Sequence, residues 1–326
     1  MRKEFIERNM EKMLGGDDLA LAKLISLVEN DSGSIPGIIQ AVQRHVGKAY
    51  RIGITGPPGA GKSTIIERLT AWLRKQNLTV AVIAVDPTSP FTGGALLGDR
   101  IRMTRHYLDG GVFIRSIASR GTVGGLAANM AELISVVDAS GKDVILVETV
   151  GAGQGEWEVV NCVDTVVVVL SADSGDSIQL MKAGLLETAD IFAVNKSDLP
   201  ATAAFTANLR MSLENMKGHL YQEIPVVVTQ AEDVAGIEEL GQQLNLRYIK
   251  IKEAGLLENR REKQRLQQFE RLLERKIMEK IKSSIAGRKR LKGLAEKVRS
   301  GHIDPYSAAT IALKDGINSL IAGKGE

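Results

Sequence analysis

The chain predicts an α/β fold, a doubly wound and mainly parallel sheet with helices on both faces. Three observations predict it. From Tyr50 to about Leu246, short β-branched apolar runs alternate with segments long enough for crossover helices. Most of those runs are apolar on both faces, as strands of a covered parallel sheet are. One strand, loop and helix in succession carries Gly56-Pro57-Pro58-Gly59-Ala60-Gly61-Lys62-Ser63-Thr64, which fits G-x-x-x-x-G-K-[ST] without a mismatch.

The first 48 residues read as a helical extension. Asp17 and Asp18 can cap a helix that carries Leu19, Leu21, Leu24, Ile25, Leu27 and Val28. Asn30 to Ser34 breaks it. Ile35 to Val46 reads as a second helix, with Pro36 near its start. Residues 49–248 then hold the sheet. Its expected strands are Arg51–Thr55, Val80–Val85, Val112–Arg115, Val144–Val147, Thr165–Leu170, Ile191–Val194 and Pro225–Thr229. Helices are expected at Ile65–Lys75, Leu126–Val137 and Ile178–Glu187. Residues 249–326 form a C-terminal helical arm. Within it, Leu266, Phe269, Leu273, Ile277, Ile281 and Ile285 recur at helical spacing in a stretch rich in Lys, Arg and Glu. Asp304-Pro305 reads as the cap and first turn of a last short helix.

Composition narrows the class. The 326 residues are 44% hydrophobic and 25% charged, which suits a globular protein. The net charge of +3 is too balanced to argue for a nucleic-acid partner. The single cysteine, Cys162, excludes an intrachain disulfide, and its place before an apolar run reads as a buried thiol. The first residues are too charged for a secretory signal, and no apolar stretch approaches a membrane span, so a cytoplasmic protein is expected. His45, His106, His219 and His302 show no metal-ligand spacing.

Chemistry concentrates in three motifs. The glycines of residues 56–64 let backbone N–H groups turn toward phosphate oxygens at a helix N-terminus. Lys62 can reach the β and γ phosphates, and the Ser63 hydroxyl can ligate Mg²⁺. The second motif, Asn195-Lys196-Ser197-Asp198, fits the guanine-reading pattern N-K-x-D directly after a strand. A carboxylate at Asp198 accepts from guanine N1–H and the 2-amino group, and adenine lacks that donor pair. The third, Glu148-Thr149-Val150-Gly151, ends a strand with a carboxylate that can hold Mg²⁺ or its water. Gly151 can offer a backbone N–H to the γ phosphate. The polar, glycine-rich run containing Gln154 resembles a switch loop. Asp86 and Asp99 are further carboxylates for this region. Mg²⁺ takes few protein carboxylates, so one of them is expected to act through water or to position the nucleophile. From spacing alone, either serves equally as a turn or cap residue.

GPPGAGKST, VDPTSP, GDRIRM, ETVGAGQ, SGDSIQLMKAG and NKSD occur in that order. Together they resemble the MeaB/ArgK/MMAA family of P-loop GTPases, over about residues 15 to 315. The resemblance implies a P-loop GTPase core, an N-terminal helical extension and a C-terminal dimerisation arm, hence a homodimer. It implies GTP/GDP and Mg²⁺ as ligands, and an adenosylcobalamin-dependent acyl-CoA mutase as partner, chiefly methylmalonyl-CoA mutase. It gives Asp86, Asp99 and Glu148 places around magnesium and the γ phosphate. It makes Asp176, Gln179 and Lys182 a third switch segment that couples the mutase to hydrolysis. The guanine-supporting loop usually reads Ser-Ala; this chain has Gln230-Ala231-Glu232, where a backbone N–H from Ala231 serves whatever its neighbours are. Ser177 stands where the family usually has Glu.

The expected activity is slow GTP hydrolysis that gates the cofactor of a mutase, because no intrinsic arginine finger is evident. Arg100, Arg102 and Arg120 are candidates after rearrangement. The alternatives are an ATPase or kinase linked to amino-acid transport, a nickel-type metallochaperone GTPase, and a non-catalytic GTP-regulated scaffold. N-K-x-D argues against the first, and the lack of Cys or His clusters against the second.

Overall fold

The computed structural model describes residues 2–86, 103–118, 127–149, 161–173, 187–215, 224–283 and 285–322. The chain divides into two compact units, Met1–Arg260 and Arg261–Glu326.

The first unit opens with helices α1 (Arg2–Leu14), α2 (Asp18–Asn30) and α3 (Ile35–Val42). Asp17 caps α2 as its position suggests, accepting from Leu19 N at 2.8 Å and Ala20 N at 3.0 Å. The third helix stops at Val42, short of the expected Val46. The backbone beyond it turns toward another acceptor. The Asp138 carboxylate takes the N–H groups of Gly47 (2.7 Å), Lys48 (3.0 Å) and Ala49 (2.9 Å), together with the Arg51 guanidinium (2.8 Å).

Seven strands follow: β1 (Tyr50–Thr55), β2 (Val80–Asp86), β3 (Val112–Ala118), β4 (Val144–Glu148), β5 (Thr165–Ser171), β6 (Ile191–Asn195) and β7 (Val226–Val228). They lie in the order β3-β2-β4-β1-β5-β6-β7, and every pairing among them is parallel. The doubly wound parallel sheet is therefore present. β3 runs three residues past the expected Arg115, because Ser116, Ile117 and Ala118 pair with Ala84, Val85 and Asp86. Side chains alternate across the sheet as strand geometry requires. Val166, Val168 and Leu170 enter one core with α1–α3 and α5 (Ala127–Ala139). Val167 and Val169 enter the other with α4 (Lys62–Lys75) and α7 (Ile237–Glu253), and α6 (Thr202–Asn215) lies beside β7. Both faces are buried, which is why β5 reads as the uninterrupted run TVVVVLS.

Asp138 has no solvent exposure, and it joins the end of the N-terminal extension to α5 and β1. Asp138→Ala leaves three backbone donors and a guanidinium without their acceptor. A loss of about 3–5 kcal/mol is expected. Urea unfolding checks it, and a loss below about 1 kcal/mol would refute this account of the joint.

At the same, amino-terminal end of the strands, Asp190 accepts from Val166 N (2.8 Å), from the Arg247 guanidinium and from Arg260 Nη1 (3.0 Å). The two arginines fasten α7 and the first turn of α8 (Leu256–Ser283) to the sheet. The compact unit accordingly runs to Arg260, past the change of composition near residue 248.

In the second unit α9 (Ile285–Arg299) packs with α10 (Pro305–Ala322). Asp304 Oδ1 accepts from Ser307 N at 2.9 Å and caps α10. That helix has 18 residues and is not the short one expected. Its Ala- and Leu-containing sequence has no internal proline to stop it. Among the described residues no helix is long and apolar enough to cross a membrane.

Candidate nucleotide site

The site is assembled at the carboxyl ends of β1, β4, β5 and β6. Residues 56–61 turn from β1 into α4. Two glycines make this path possible. Gly56 has φ 141°, and a Cβ on it would lie 2.0 Å from the carbonyl oxygen of Val169. Gly61 has φ 93°, and its Cβ would lie 2.2 Å from Asn195 Nδ2. An L side chain at either place would meet both strain and a neighbouring strand end.

Lys62 opens α4 and is nearly buried, 7% exposed. Its ammonium donates to the carbonyls of Gly56 (2.8 Å) and Pro57 (3.1 Å), so it curls over the loop it follows. Ser63 Oγ donates to Glu148 Oε1 at 2.7 Å. The pair forms because β1 and β4 are neighbours, with Ile54 opposite Glu148. A hydroxyl and a carboxylate side by side under a glycine cradle are hard oxygen donors of the kind Mg²⁺ takes, so the donor set fits that ion. Asp86 ends β2, which also borders β4 with Ala84 opposite Glu148. The Thr149 hydroxyl donates to Thr55 Oγ1 at 2.9 Å, and Thr149 N to Ile54 O at 3.1 Å. These bonds tie the two strand ends together.

The loops expected to read the base are joined to this loop through Asn195. Asn195 Nδ2 donates to Ala60 O at 2.9 Å. Its Oδ1 accepts from Thr229 Oγ1 and from Ala231 N, both at 3.1 Å. Asn195 therefore belongs to both halves. The N–H of Ala231, expected at the base, rests on this amide oxygen. Lys196 sits at φ 59°, an uncommon conformation for a residue with a side chain, and its ammonium meets Asp173 at 2.7 Å. That ammonium, with a smaller contribution from Ser171, holds the Asp173 carboxyl below its usual range. Asp198 is exposed at the loop tip, with its carboxylate open to an incoming ligand. Gln230, Ala231 and Glu232 begin the turn after β7. There Arg68 of α4 donates from Nε to Ala231 O and from Nη2 to Glu232 O, each at 3.1 Å.

Asp99, Gly151, Gln154, Asp176, Gln179, Lys182, Arg100, Arg102 and Arg120 lie outside the described residues, as does the expected helix near Ile178 up to residue 186. Arg68, Thr229, Asp173 and the Thr55–Thr149 pair escaped the sequence reading. Thr229, next to the loop expected to support guanine, and Thr149, inside the third motif, carried a signal by position.

A family profile described as methylmalonyl Co-A mutase-associated GTPase MeaB matches residues 21–286. The chain belongs to the MeaB family of GTPases. A relative from Pyrococcus abyssi, named as a GTPase, is 47% identical over 313 residues, covering 95% of this chain and 96% of that one. The mouse methylmalonic aciduria type A homolog, a mitochondrial protein by its name, is 32% identical over 331 residues, covering 95% of this MeaB-family chain and 79% of its own. Among solved structures, one described as an LAO/AO transport system kinase superposes with a TM-score of 0.71 at 25% identity, covering 96% and 97% of the two chains.

Proposed function

We propose that this MeaB-family protein hydrolyses GTP in the cytoplasm and thereby gates the loading or protection of adenosylcobalamin on an acyl-CoA mutase, methylmalonyl-CoA mutase in the first instance. The observation that carries the reading is Asn195, which ties the phosphate loop at Ala60 to the base loop at Thr229 and Ala231. It supports a single ligand with phosphates at one end and guanine at the other. Asp198 then accepts from N1–H and the 2-amino group. An N–H donor beside it, that of Ala231, suits the 6-oxo acceptor, which would share or take over the donor now on Asn195. Lys62 has two loop carbonyls to exchange for phosphate oxygens. Ser63 and Glu148 would hold Mg²⁺, which when bound neutralises phosphate charge. The family description and the name of the mouse relative support the mutase as partner.

Self-association through the C-terminal arm belongs to the same reading. Leu266, Phe269, Leu273 and Ile277 stand between 38% and 61% exposed along one helix, more apolar surface than a solvated face needs. The name given to the solved neighbour supports a second reading, a kinase of a transport system. N-K-x-D opposes it, and competition between GTP and ATP separates the two.

The test is GTP turnover by the purified protein, with and without an adenosylcobalamin-dependent methylmalonyl-CoA mutase from the same organism. A rise of roughly 10-fold or more on adding the mutase is expected, as when a partner completes a GTPase site. Basal turnover that ignores the mutase would keep the hydrolase and reject this client.

A further inference from the structure

Arg68 lies on the helix that follows the phosphate loop, yet its guanidinium is spent on the base-reading turn. Nε and Nη2 donate to two successive carbonyls, those of Ala231 and Glu232, each at 3.1 Å. Two parallel donors on consecutive peptide units fix orientation as well as position, which a single ammonium cannot do.

The consequence passes through the turn by covalent geometry. The peptide bonds here are trans, so each C=O points opposite the N–H of the next residue. Holding Glu232 O toward α4 therefore directs the N–H of Asp233, which donates to Gln230 O at 3.1 Å. The peptide containing Gln230 O carries the N–H of Ala231. The turn is closed on its other side by Gln230 N donating to Ala235 O at 3.0 Å. Arg68 is thus two hydrogen bonds and two peptide planes away from the donor that suits a 6-oxo purine.

We infer that Arg68 is a positioning residue for base selection: its guanidinium aims the Ala231 N–H and so sets the preference for a 6-oxo over a 6-amino purine. The inference rests on the guanine-nucleotide reading. It divides the labour of recognition in two. Asp198 reads the N1–H and 2-amino edge, and Arg68, acting through the turn, sets the 6-position.

The experiment is calorimetric titration of the full-length protein with GDP, IDP and ADP, for the wild type, Arg68→Met and Arg68→Lys. IDP keeps the 6-oxo group and N1–H and lacks the 2-amino group, so a loss shared by GDP and IDP does not come from the 2-amino contact of Asp198. Arg68→Met keeps the aliphatic stem on α4 and removes both donors. It is expected to weaken GDP and IDP together by about 10-fold and to leave ADP unchanged, narrowing the GDP-to-ADP preference by the same factor. Arg68→Lys should fall between, since one ammonium replaces two directed donors. An equal loss for all three nucleotides would make Arg68 merely structural and overturn the inference, as would unaltered GDP affinity in Arg68→Met. A wild type with no preference for GDP over ADP would instead overturn the guanine reading, before any variant is considered.

Discussion

Asp198→Asn is expected to lower GTP affinity by about 10²–10⁴-fold and to open the site to xanthosine triphosphate. On the proposed reading the Asp198 carboxylate accepts two donors from guanine, N1–H and the 2-amino group. An amide offers one acceptor and one donor, so it keeps the first bond and sets N–H against N–H at the second. Each hydrogen bond to a charged group contributes on the order of 1.5–3 kcal/mol, and a mismatched donor pair adds to the loss. Xanthine carries an oxygen where guanine has the amino group, and the amide N–H introduced by the substitution can donate to it. Because Asp198 is exposed at a loop tip, the substitution leaves the core untouched. Equilibrium binding of GDP and XDP, with melting temperature as the control, checks this. Undiminished GDP affinity would place base recognition elsewhere.

Lys62→Ala is expected to reduce GTP turnover at saturating nucleotide by about 10²–10³-fold. The ammonium is positioned by Gly56 O and Pro57 O before any phosphate arrives, so little reorganisation is needed when charge develops on the γ phosphate. Its removal also frees those two carbonyls and loosens the loop, so binding should weaken too. Phosphate release measured over a range of GTP concentrations separates the two effects. Turnover that survives the substitution would remove Lys62 from the chemistry.

Legibility in the sequence followed the range of the interaction. β5 and β6 were legible because both faces of each strand are buried, leaving apolar runs with no polar interruption. Residues 56–64 and 195–198 stood out because each is one continuous stretch marked by its own spacing, and each follows the carboxyl end of a strand or closes it. Arg68 was not, because its partners lie 163 and 164 residues away and nothing local marks a helix-surface arginine as bound to a distant turn. Asp138 hid for the same reason, and with it the early end of α3: the acceptor that draws the backbone away from the helix is about 90 residues downstream. The composition change near residue 248 likewise did not reveal Arg260, which reaches back 70 residues to Asp190. Motifs report chemistry that a short segment performs alone, whereas the supports of that chemistry are recorded only in three dimensions.

The amide of Asn195 has a thermodynamic corollary. One side chain holds Ala60 of the phosphate loop with its nitrogen and Thr229 and Ala231 of the base loop with its oxygen. Whatever factor a bound diphosphate adds to the affinity for guanine, guanine must return to the diphosphate, since the coupling between two ligands is a single free energy read from either side. The two ends of a nucleotide are then not independent anchors. On the proposed reading, a fragment such as guanosine or pyrophosphate, offered alone, meets only half of the arrangement that Asn195 joins.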